Sequence, residues 1–182
     1  VLKQNSKNWD LIIIDDHSSV PDTLAYLEDL RNLDDPRVKV VKSQGQRITA
    51  ALNSGMSEAK TPFVAMLHCD DILASNACSI LSEQINLYPN VDYFHSARRN
   101  IDDRGRFISG IKNPKKHIQL ENFKNAGQVK HLHCWRIEKA LEIGGMDEDL
   151  GPHGADDYDF PWSMAEAGAK FRAVDHCLYY YR

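Results

Sequence analysis

Two short apolar segments of the chain each run into a pair of aspartates. Continuous apolar segments rich in β-branched residues are typical of parallel strands that are buried on both faces. In open α/β sheets, ligands bind outside the carboxyl ends of such strands, and adjacent carboxylates repel each other unless a cation or strong donors neutralise them. The sequence therefore predicts a ligand site with a divalent cation, Mg²⁺ or Mn²⁺. The pairs are Asp15 and Asp16 after residues 11–14, and Asp70 and Asp71 after residues 63–67.

Strand and helix patterns alternate along the first half of the chain, which is the order expected of an α/β sheet. We expect a mixed, mostly parallel sheet flanked by helices, in a single domain that spans all 182 residues. The domain would consist of two parts, residues 1–97 and residues 98–182. Further strands are predicted at 38–41, 91–97 and 173–181, and helices at 22–33, 47–59, 75–87, 136–143 and 156–168.

The charge is unevenly distributed, although the net charge is only −4. Residues 98–130 carry 9 basic and 3 acidic side chains, whereas the segments on both sides are acidic. Acidic regions on both sides of one basic segment argue against a nucleic-acid-binding protein. The basic segment is either a solvated hairpin or a contact with a partner that carries phosphate.

A third acidic cluster lies at residues 154–159 and contains Asp156, Asp157 and Asp159. It opens a predicted helix, and carboxylates at a helix N-terminus are stabilised by the helix dipole. Asp156 could therefore simply cap the helix. Capping does not need three acids in four positions, so a carboxylate of this cluster could instead act as a general base.

Six motifs, taken together and in order, resemble the family 2 glycosyltransferases with the GT-A fold. They cover essentially the whole chain, and their order is more specific than any one of them. The motifs are IIIDDHS at 12–18, ALNSG at 51–55, MLHCDD at 66–71, GGMDE at 144–148, GADDYD at 154–159 and YYYR at 179–182.

The resemblance implies a site for a nucleotide-diphosphate sugar and a divalent cation, Mn²⁺ or Mg²⁺. Residues 1–97 would form the nucleotide-binding part of the domain and residues 98–182 its acceptor side. The base of the nucleotide would be bound by Asp16, with Asp15, Ser18 and Arg47 beside it. Asp70 would coordinate the cation that bridges the two phosphates. The other expected metal ligands are Asp71 and His68, and His68 stands where the family usually has an acid.

The resemblance also implies inverting transfer of the sugar to a hydroxyl group, with Asp157 as the base and Asp156 beside it. UDP is expected as the nucleotide rather than GDP or dTDP. The acceptor would be a saccharide or a lipid-linked sugar of bacterial surface-polysaccharide or glycolipid synthesis. We expect a cytoplasmic protein, with peripheral contact to the inner face of the membrane. The residues expected to contact the acceptor are His133, Trp135, Tyr158 and Trp162; Trp162 is equally compatible with a place in the core.

One departure from the family bears on activity. The family begins with a strand and a turn that contact the nucleotide, and no segment here matches them, so the first strand is expected to be missing from this chain. A non-catalytic domain that binds nucleotide sugars is therefore an alternative. A phosphoacceptor receiver domain is less compatible, because it needs a lysine at a late strand end and no lysine follows Lys170.

Histidines and cysteines leave further alternatives. His131 and His133 alternate on a predicted strand and could contact the acceptor or the diphosphate, bind zinc as a pair, or belong to a half-buried strand. The four cysteines lack CxxC spacing and favour a reduced protein over one with two disulfides.

Overall fold

The computed structural model describes residues 1–150 and 155–182, which form a mixed α/β structure. The expected α/β class is confirmed, and most predicted strands and helices lie within two residues of the observed ones. The fourth predicted strand extends further, to residue 101. The strands are β1 (Leu11–Asp15), β2 (Val38–Lys42), β3 (Phe63–Met66), β4 (Ile72–Leu73), β5 (Tyr93–Ile101), β6 (Phe107–Lys112), β7 (His133–Arg136) and β8 (Phe171–Tyr181).

The helices lie between these strands as the apolar periodicity predicts. Pro21 occupies the first turn of α1, where its missing N–H group costs nothing. The predicted helix at 156–168 instead consists of a π-helical turn, Ala155–Asp159, that leads into a shorter α-helix. In the described part of the chain, no helix has the length and apolar character needed to cross a membrane. The α-helices are α1 (Pro21–Arg31), α2 (Arg47–Glu58), α3 (Ala77–Leu87), α4 (Ile137–Glu142) and α5 (Phe160–Glu166).

The strands form two sheets rather than the one sheet expected. β1 and β2 are parallel and pair only with each other among the described strands, while the other six strands form a second sheet. The expectation that parallel pairs predominate is wrong, because two pairs are parallel and four are antiparallel. β6 pairs antiparallel because a short turn connects it to β5, and a short turn allows only antiparallel pairing. β7 follows β6 after the longer segment 113–132, and the path of that segment brings it back antiparallel to β5.

β5 is the central strand of the larger sheet. It pairs with β8 in parallel and with β6 and β7 in antiparallel register. A turn at Asp102–Gly105 connects β5 to β6, and Gly105 supplies the positive φ of 75° that this turn requires. Because β5 runs through residue 97, the expected boundary between the two functional parts falls inside a strand.

The core consists of two hydrophobic clusters that lie on opposite faces of β5 and β7. Tyr93 and Trp135 belong to one cluster, and Phe94 and Cys134 belong to the other. Successive residues of a strand point to opposite faces, so this assignment follows directly from the register of the two strands. The face of Tyr93 and Trp135 also carries Phe160 at the start of α5. This packing holds the acidic turn at 155–159 against the sheet.

Candidate active site

The ends of β1 and β2 bring together the residues predicted to bind the nucleotide. Asp15 is buried, and its Oδ1 atom accepts a hydrogen bond of 2.9 Å from the Ser18 backbone N–H. Hydrogen bonding from Ser18 lowers the pKa of Asp15, which keeps this carboxyl ionised. Asp16 is exposed, and both of its oxygens accept from the backbone N–H of Arg47, at 2.9 and 3.1 Å.

Backbone strain accompanies this arrangement. Arg47 has a φ of 76° and His17 a φ of 58°, in the left-handed region that residues other than glycine rarely adopt. His17 Nε2 lies 3.0 Å from the carbonyl oxygen of Gly45, so the two loops are joined at this point as well. Strained backbone of this kind persists where the surrounding contacts hold it, and it clusters at ligand sites. Arg47 itself is exposed, and only its backbone N–H contacts Asp16.

The second aspartate pair lies between β3 and β4 and contacts the last residue of the chain. The Arg182 backbone N–H donates to Asp71 Oδ1 at 2.7 Å, and its Nε donates to the carbonyl oxygen of Asp70, also at 2.7 Å. Arg182 Nη1 also donates to the carbonyl oxygen of Asp103 in the β5–β6 turn, at 2.6 Å. The carboxylate of Asp70 is exposed and accepts no hydrogen bond from residues 1–150 or 155–182. An exposed carboxylate of this kind fits a hard divalent cation.

His68 does not lie in a cluster with Asp70 and Asp71. Its Nε2 atom is 3.5 Å from Oδ2 of Asp156, and its ring centroid is 5.3 Å from that of His131. Ligand atoms of His68, His131 and Asp156 all lie within 4.8 Å of one another. The structure thus joins the end of β3 to the acidic turn at 155–159. A role of His68 in binding metal stays a prediction.

Asp157 lies at a cavity of about 180 Å³. Protein atoms packed around its carboxyl group raise its pKa, and repulsion from Asp156 raises it further, while the charge of Arg98 acts in the opposite direction. A carboxylate with a raised pKa is a stronger base, which suits general-base chemistry. The cavity is lined by Arg98, Gly127, Val129, Lys130, His131, His133, Asp157 and Tyr158.

The histidines along this side are buried and neutral. Burial lowers the pKa of His131 to about 3 and that of His95 to about 4, and it lowers the pKa of His133 well below the usual value. The Tyr93 hydroxyl oxygen, Oη, and His133 Nδ1 are 2.8 Å apart. The Nε2 atoms of His131 and His133 have no hydrogen-bond partner in the part of the chain that the structure describes. Both histidines line the cavity, although these two nitrogen atoms are themselves buried.

Of the residues predicted to contact the acceptor, three lie at or near the cavity and one does not. His133 and Tyr158 line it, and Trp162 is half-buried with its ring edge-on to Tyr158. The expectation for Trp135 is wrong, because only 2% of its surface is exposed. Its ring packs in the core against Tyr93, and its Nε1–H donates to the sulfur of Met56 at 3.2 Å.

Two of the sequence motifs contact each other behind the site. Asn53 Nδ2 donates to the Met146 carbonyl oxygen, and the Met146 N–H donates back to Asn53 Oδ1, both at 2.9 Å. A second bond of 2.8 Å joins Asn53 Nδ2 to Glu148 Oε1. Gly145 approaches so closely that a Cβ atom there would lie 2.7 Å from Asn53 Oδ1. Glycine is therefore favoured at 145 by this contact between distant segments.

Local sequence patterns do not identify the whole site. They do not distinguish Lys130, and they mark Arg98 only as one member of the basic segment. The excess of basic residues in segment 98–130 is the one relevant pattern in the sequence, but it does not indicate which two basic residues face Asp157. Gly154, the first residue of the acidic motif, lies outside the described residues.

Comparison with known proteins identifies the family. The model of glycosyl transferase family 2 matches residues 1–140, which is most of the chain. The chain is 24% identical over 179 residues to a chondroitin synthase of Pasteurella multocida, covering 98% of this chain and 18% of that protein. It is 28% identical over 131 residues to the UDP-Glc:alpha-D-GlcNAc-diphosphoundecaprenol beta-1,3-glucosyltransferase WfgD of Escherichia coli, covering 70% of this chain and 48% of that protein.

A solved structure has the same fold. The crystal structure of S. aureus TarS 1-349 in complex with UDP-GlcNAc matches 98% of this chain and 51% of its own, with a TM-score of 0.73 and 16% identity. The expected GT-A fold is thereby confirmed. The chain spans less than half the length of either curated relative. The family match extends from residue 1 through β7 and the first four residues of α4, and the chain belongs to glycosyl transferase family 2.

Proposed function

We propose that this domain transfers a sugar from a UDP-sugar to a hydroxyl group of an acceptor, with inversion at the anomeric carbon. The observation that carries the proposal is the position of Asp157 at the cavity, with a pKa raised by the surrounding protein and by Asp156. In the reaction, the Asp157 carboxylate accepts the proton of the acceptor hydroxyl. The hydroxyl oxygen bonds to the anomeric carbon while the bond to the diphosphate breaks, and UDP leaves with the bonding electron pair.

The donor would bind at the ends of β1 and β2. Asp16 is held by the Arg47 backbone and keeps its carboxylate at the surface, where it can accept hydrogen bonds from a base. Asp15 and Ser18 fix the turn beneath it. The S. aureus TarS structure is a complex with UDP-GlcNAc, which supports UDP over GDP or dTDP for this chain.

A divalent cation, Mn²⁺ or Mg²⁺, would be held by Asp70, with Asp71 beside it. The free carboxylate of Asp70 supports this assignment, since hard oxygen ligands are those such cations prefer. When bound, the cation neutralises charge on the leaving diphosphate. Arg182 holds the backbone of this loop through the Asp70 carbonyl oxygen and the Asp71 carboxylate.

The acceptor, a saccharide or a lipid-linked sugar, would enter the cavity beside Asp157. His133 and Tyr158 line it, and Trp162 lies next to Tyr158. The E. coli relative is named for a sugar linked to diphosphoundecaprenol, which supports a lipid-linked acceptor. Contact with the inner membrane face, and the cytoplasmic location, stay predictions. The exposed apolar side chains Phe107, Ile108 and Ile111 of β6, among basic residues, would be the contact surface.

The test is release of UDP from UDP-glucose and UDP-GlcNAc in the presence of Mn²⁺. Asp157→Asn should lower the rate by about 10²- to 10⁴-fold, the usual contribution of a general base, while UDP affinity stays within about twofold. Asp159→Asn, two positions further along, is the matched control and should keep the rate. Full activity of Asp157→Asn would refute the role of this residue. UDP binding without release of UDP from either donor would favour the non-catalytic alternative.

A further inference from the structure

The cavity beside Asp157 is bordered by positive charge that has no carboxylate partner. Burial lowers the pKa of Lys130, and repulsion from Arg98, Lys115 and Lys112 lowers it further, so these four cations are close enough to repel one another. Arg98 and Lys130 form no salt bridge with any acid in residues 1–150 or 155–182. Two other basic residues of segment 98–130 do have acidic partners: Arg106 pairs with Asp102, and Lys116 pairs with Asp175.

Arg98 is held in place, but one of its hydrogen-bond donors has no partner. Its guanidinium lies over the ring of Tyr181 at 4.3 Å, and Nη1 is 3.4 Å from Nδ1 of His131. Its Nε atom is buried and has no hydrogen-bond partner among the described residues. Leaving a charged donor buried without a partner costs free energy, and a bound anion would offset this cost through the charge of the whole guanidinium rather than through the buried Nε atom.

The neighbouring groups do not supply the missing negative charge. His131 and His133 are neutral, and each carries a buried Nε2 atom without a partner in the described structure. Asp157 is the one acid among the residues that line the cavity, and it faces two cations. The cavity, about 180 Å³, is several times the ~30 Å³ that one water occupies in the liquid. It has room for a charged group in addition to the reacting hydroxyl.

We infer that Arg98 and Lys130 bind an anionic oxygen group of the acceptor, a carboxylate or a phosphate, beside the hydroxyl that Asp157 deprotonates. The planar fork of arginine donates in parallel to two oxygens of either group, and a lysine adds a point charge. With a neutral acceptor, the single carboxylate of Asp157 would be the one acid of the cavity lining for both cations. The inference rests on the proposed function of the same site and adds the chemical class of the acceptor.

Binding of three sugars that differ only at C6 tests this inference. Glucose, glucuronate and glucose 6-phosphate are titrated into the protein without donor, and affinity is followed by NMR. We expect at least one anionic sugar to bind ten or more times as tightly as glucose. Tighter binding of glucuronate would identify a carboxylate, and tighter binding of glucose 6-phosphate a phosphate. Equal affinities for all three sugars would overturn the inference.

Variants assign the effect to the two cations. Arg98→Gln and Lys130→Gln should each lose most of the preference for the anionic sugar, whereas Lys116→Gln, whose lysine pairs with Asp175, should keep it. Lys130 is the safer position if Arg98→Gln fails to fold, since Lys130 is part-exposed and makes no ion pair with a described residue. A preference that survives Lys130→Gln and Arg98→Gln would contradict the assignment.

Two further measurements separate this inference from binding of the donor diphosphate and from the proposed function. UDP affinity with Mn²⁺ should be unchanged in Lys130→Gln; a tenfold loss would mean that these cations bind the donor diphosphate instead, and the inference would fail. Asp157→Asn should abolish UDP release yet keep the preference for an anionic sugar. Failure of the proposed function would therefore appear in UDP release alone, and failure of the acceptor assignment in sugar binding alone.

Discussion

The imidazole Nε2 of His68 lies 3.5 Å from Oδ2 of Asp156. This contact connects the loop after β3 with the acidic turn before α5. Asp156 is buried against His68, whereas the next residue, Asp157, faces the cavity. The two adjacent aspartates therefore have different surroundings. Asp156 connects two segments of the site, whereas Asp157 is placed to contact a substrate.

The pH dependence of UDP release should report on Asp157. A base acts only when ionised, so the rate falls as the pH drops through the pKa of Asp157, which lies above the ordinary aspartate value of 3.8. Asp156→Asn removes the repulsion that contributes to this increase. The acid limb of the pH–rate profile should then move to lower pH. A limb that stays in place or moves to higher pH would show that Asp156 does not act on Asp157 in this way.

The neighbouring cation has the opposite effect on the same carboxyl group. Arg98 lowers the pKa of Asp157, so Arg98→Gln should move the acid limb to higher pH. The acid limb of the wild-type pH–rate profile should therefore lie between those of Asp156→Asn and Arg98→Gln. Lys60→Gln, which alters an exposed lysine that does not line the cavity, is the control and should leave the limb where it is.

Removal of the Asp70 carboxylate should weaken metal-dependent binding of the nucleotide. For Asp70→Asn we expect at least a tenfold loss of UDP affinity in Mn²⁺ and little change in EDTA, because one anionic ligand of the cation is gone. Calorimetric titration of UDP measures both. His68→Asn provides the comparison, since His68 faces Asp156 rather than Asp70. A loss for His68→Asn alone would place the cation at the His68, His131 and Asp156 cluster.

Arg47 allows its backbone and side-chain roles to be separated. Its φ of 76° is costly for arginine by roughly 1–2 kcal/mol, and glycine relieves this while adding a similar entropic cost. The free energy of unfolding of Arg47→Gly, measured in urea, should therefore lie within about 1 kcal/mol of that of the parent protein. If the exposed guanidinium contacts the nucleotide, UDP affinity will fall in this variant. Unchanged affinity would remove the side chain from the donor site.

The two glycines at 144 and 145 form a matched pair for stability. Both have a φ of 83°, but a Cβ atom at 144 would meet nothing within 4 Å, whereas one at 145 would lie 2.7 Å from Asn53 Oδ1. Gly144→Ala should cost about 1–2 kcal/mol for the backbone alone. Gly145→Ala should cost about 1–3 kcal/mol more, through the clash with Asn53. Equal costs in urea unfolding would show that Asn53 gives way freely.

Local patterns in the sequence were sufficient for much of the fold. The β-branched residues at 11–14 and the aspartates that follow them identified β1 and its polar end, because both signals act over a few residues. The sheet arrangement was harder to predict. Antiparallel pairing of β6 and β7 with β5 depends on where the chain returns between 98 and 135, and that segment has little periodicity.

Trp135 shows the same limit for a single side chain. Its sequence neighbours, His133 and Cys134, gave no sign of which face of β7 meets the core. The alternation of β7 places Trp135 with Tyr93, and packing of Phe160 on that face buries the ring. A tryptophan in an unpaired strand would be equally compatible with a binding surface, so only the pairing with β5 decides between the two.

The sequence by itself determined that carboxylates would gather at strand ends, because apolar strands must stop at polar turns and the chain places aspartates there. It also determined the family, through six motifs in order. Only the tertiary structure decided that His68 meets Asp156, that Asn53 meets Gly145, and that Arg98 and Lys130 border the same cavity as Asp157 without forming a salt bridge to a described acid. Such contacts join segments far apart in the chain, and they depend on strand register and helix packing, which no local pattern encodes.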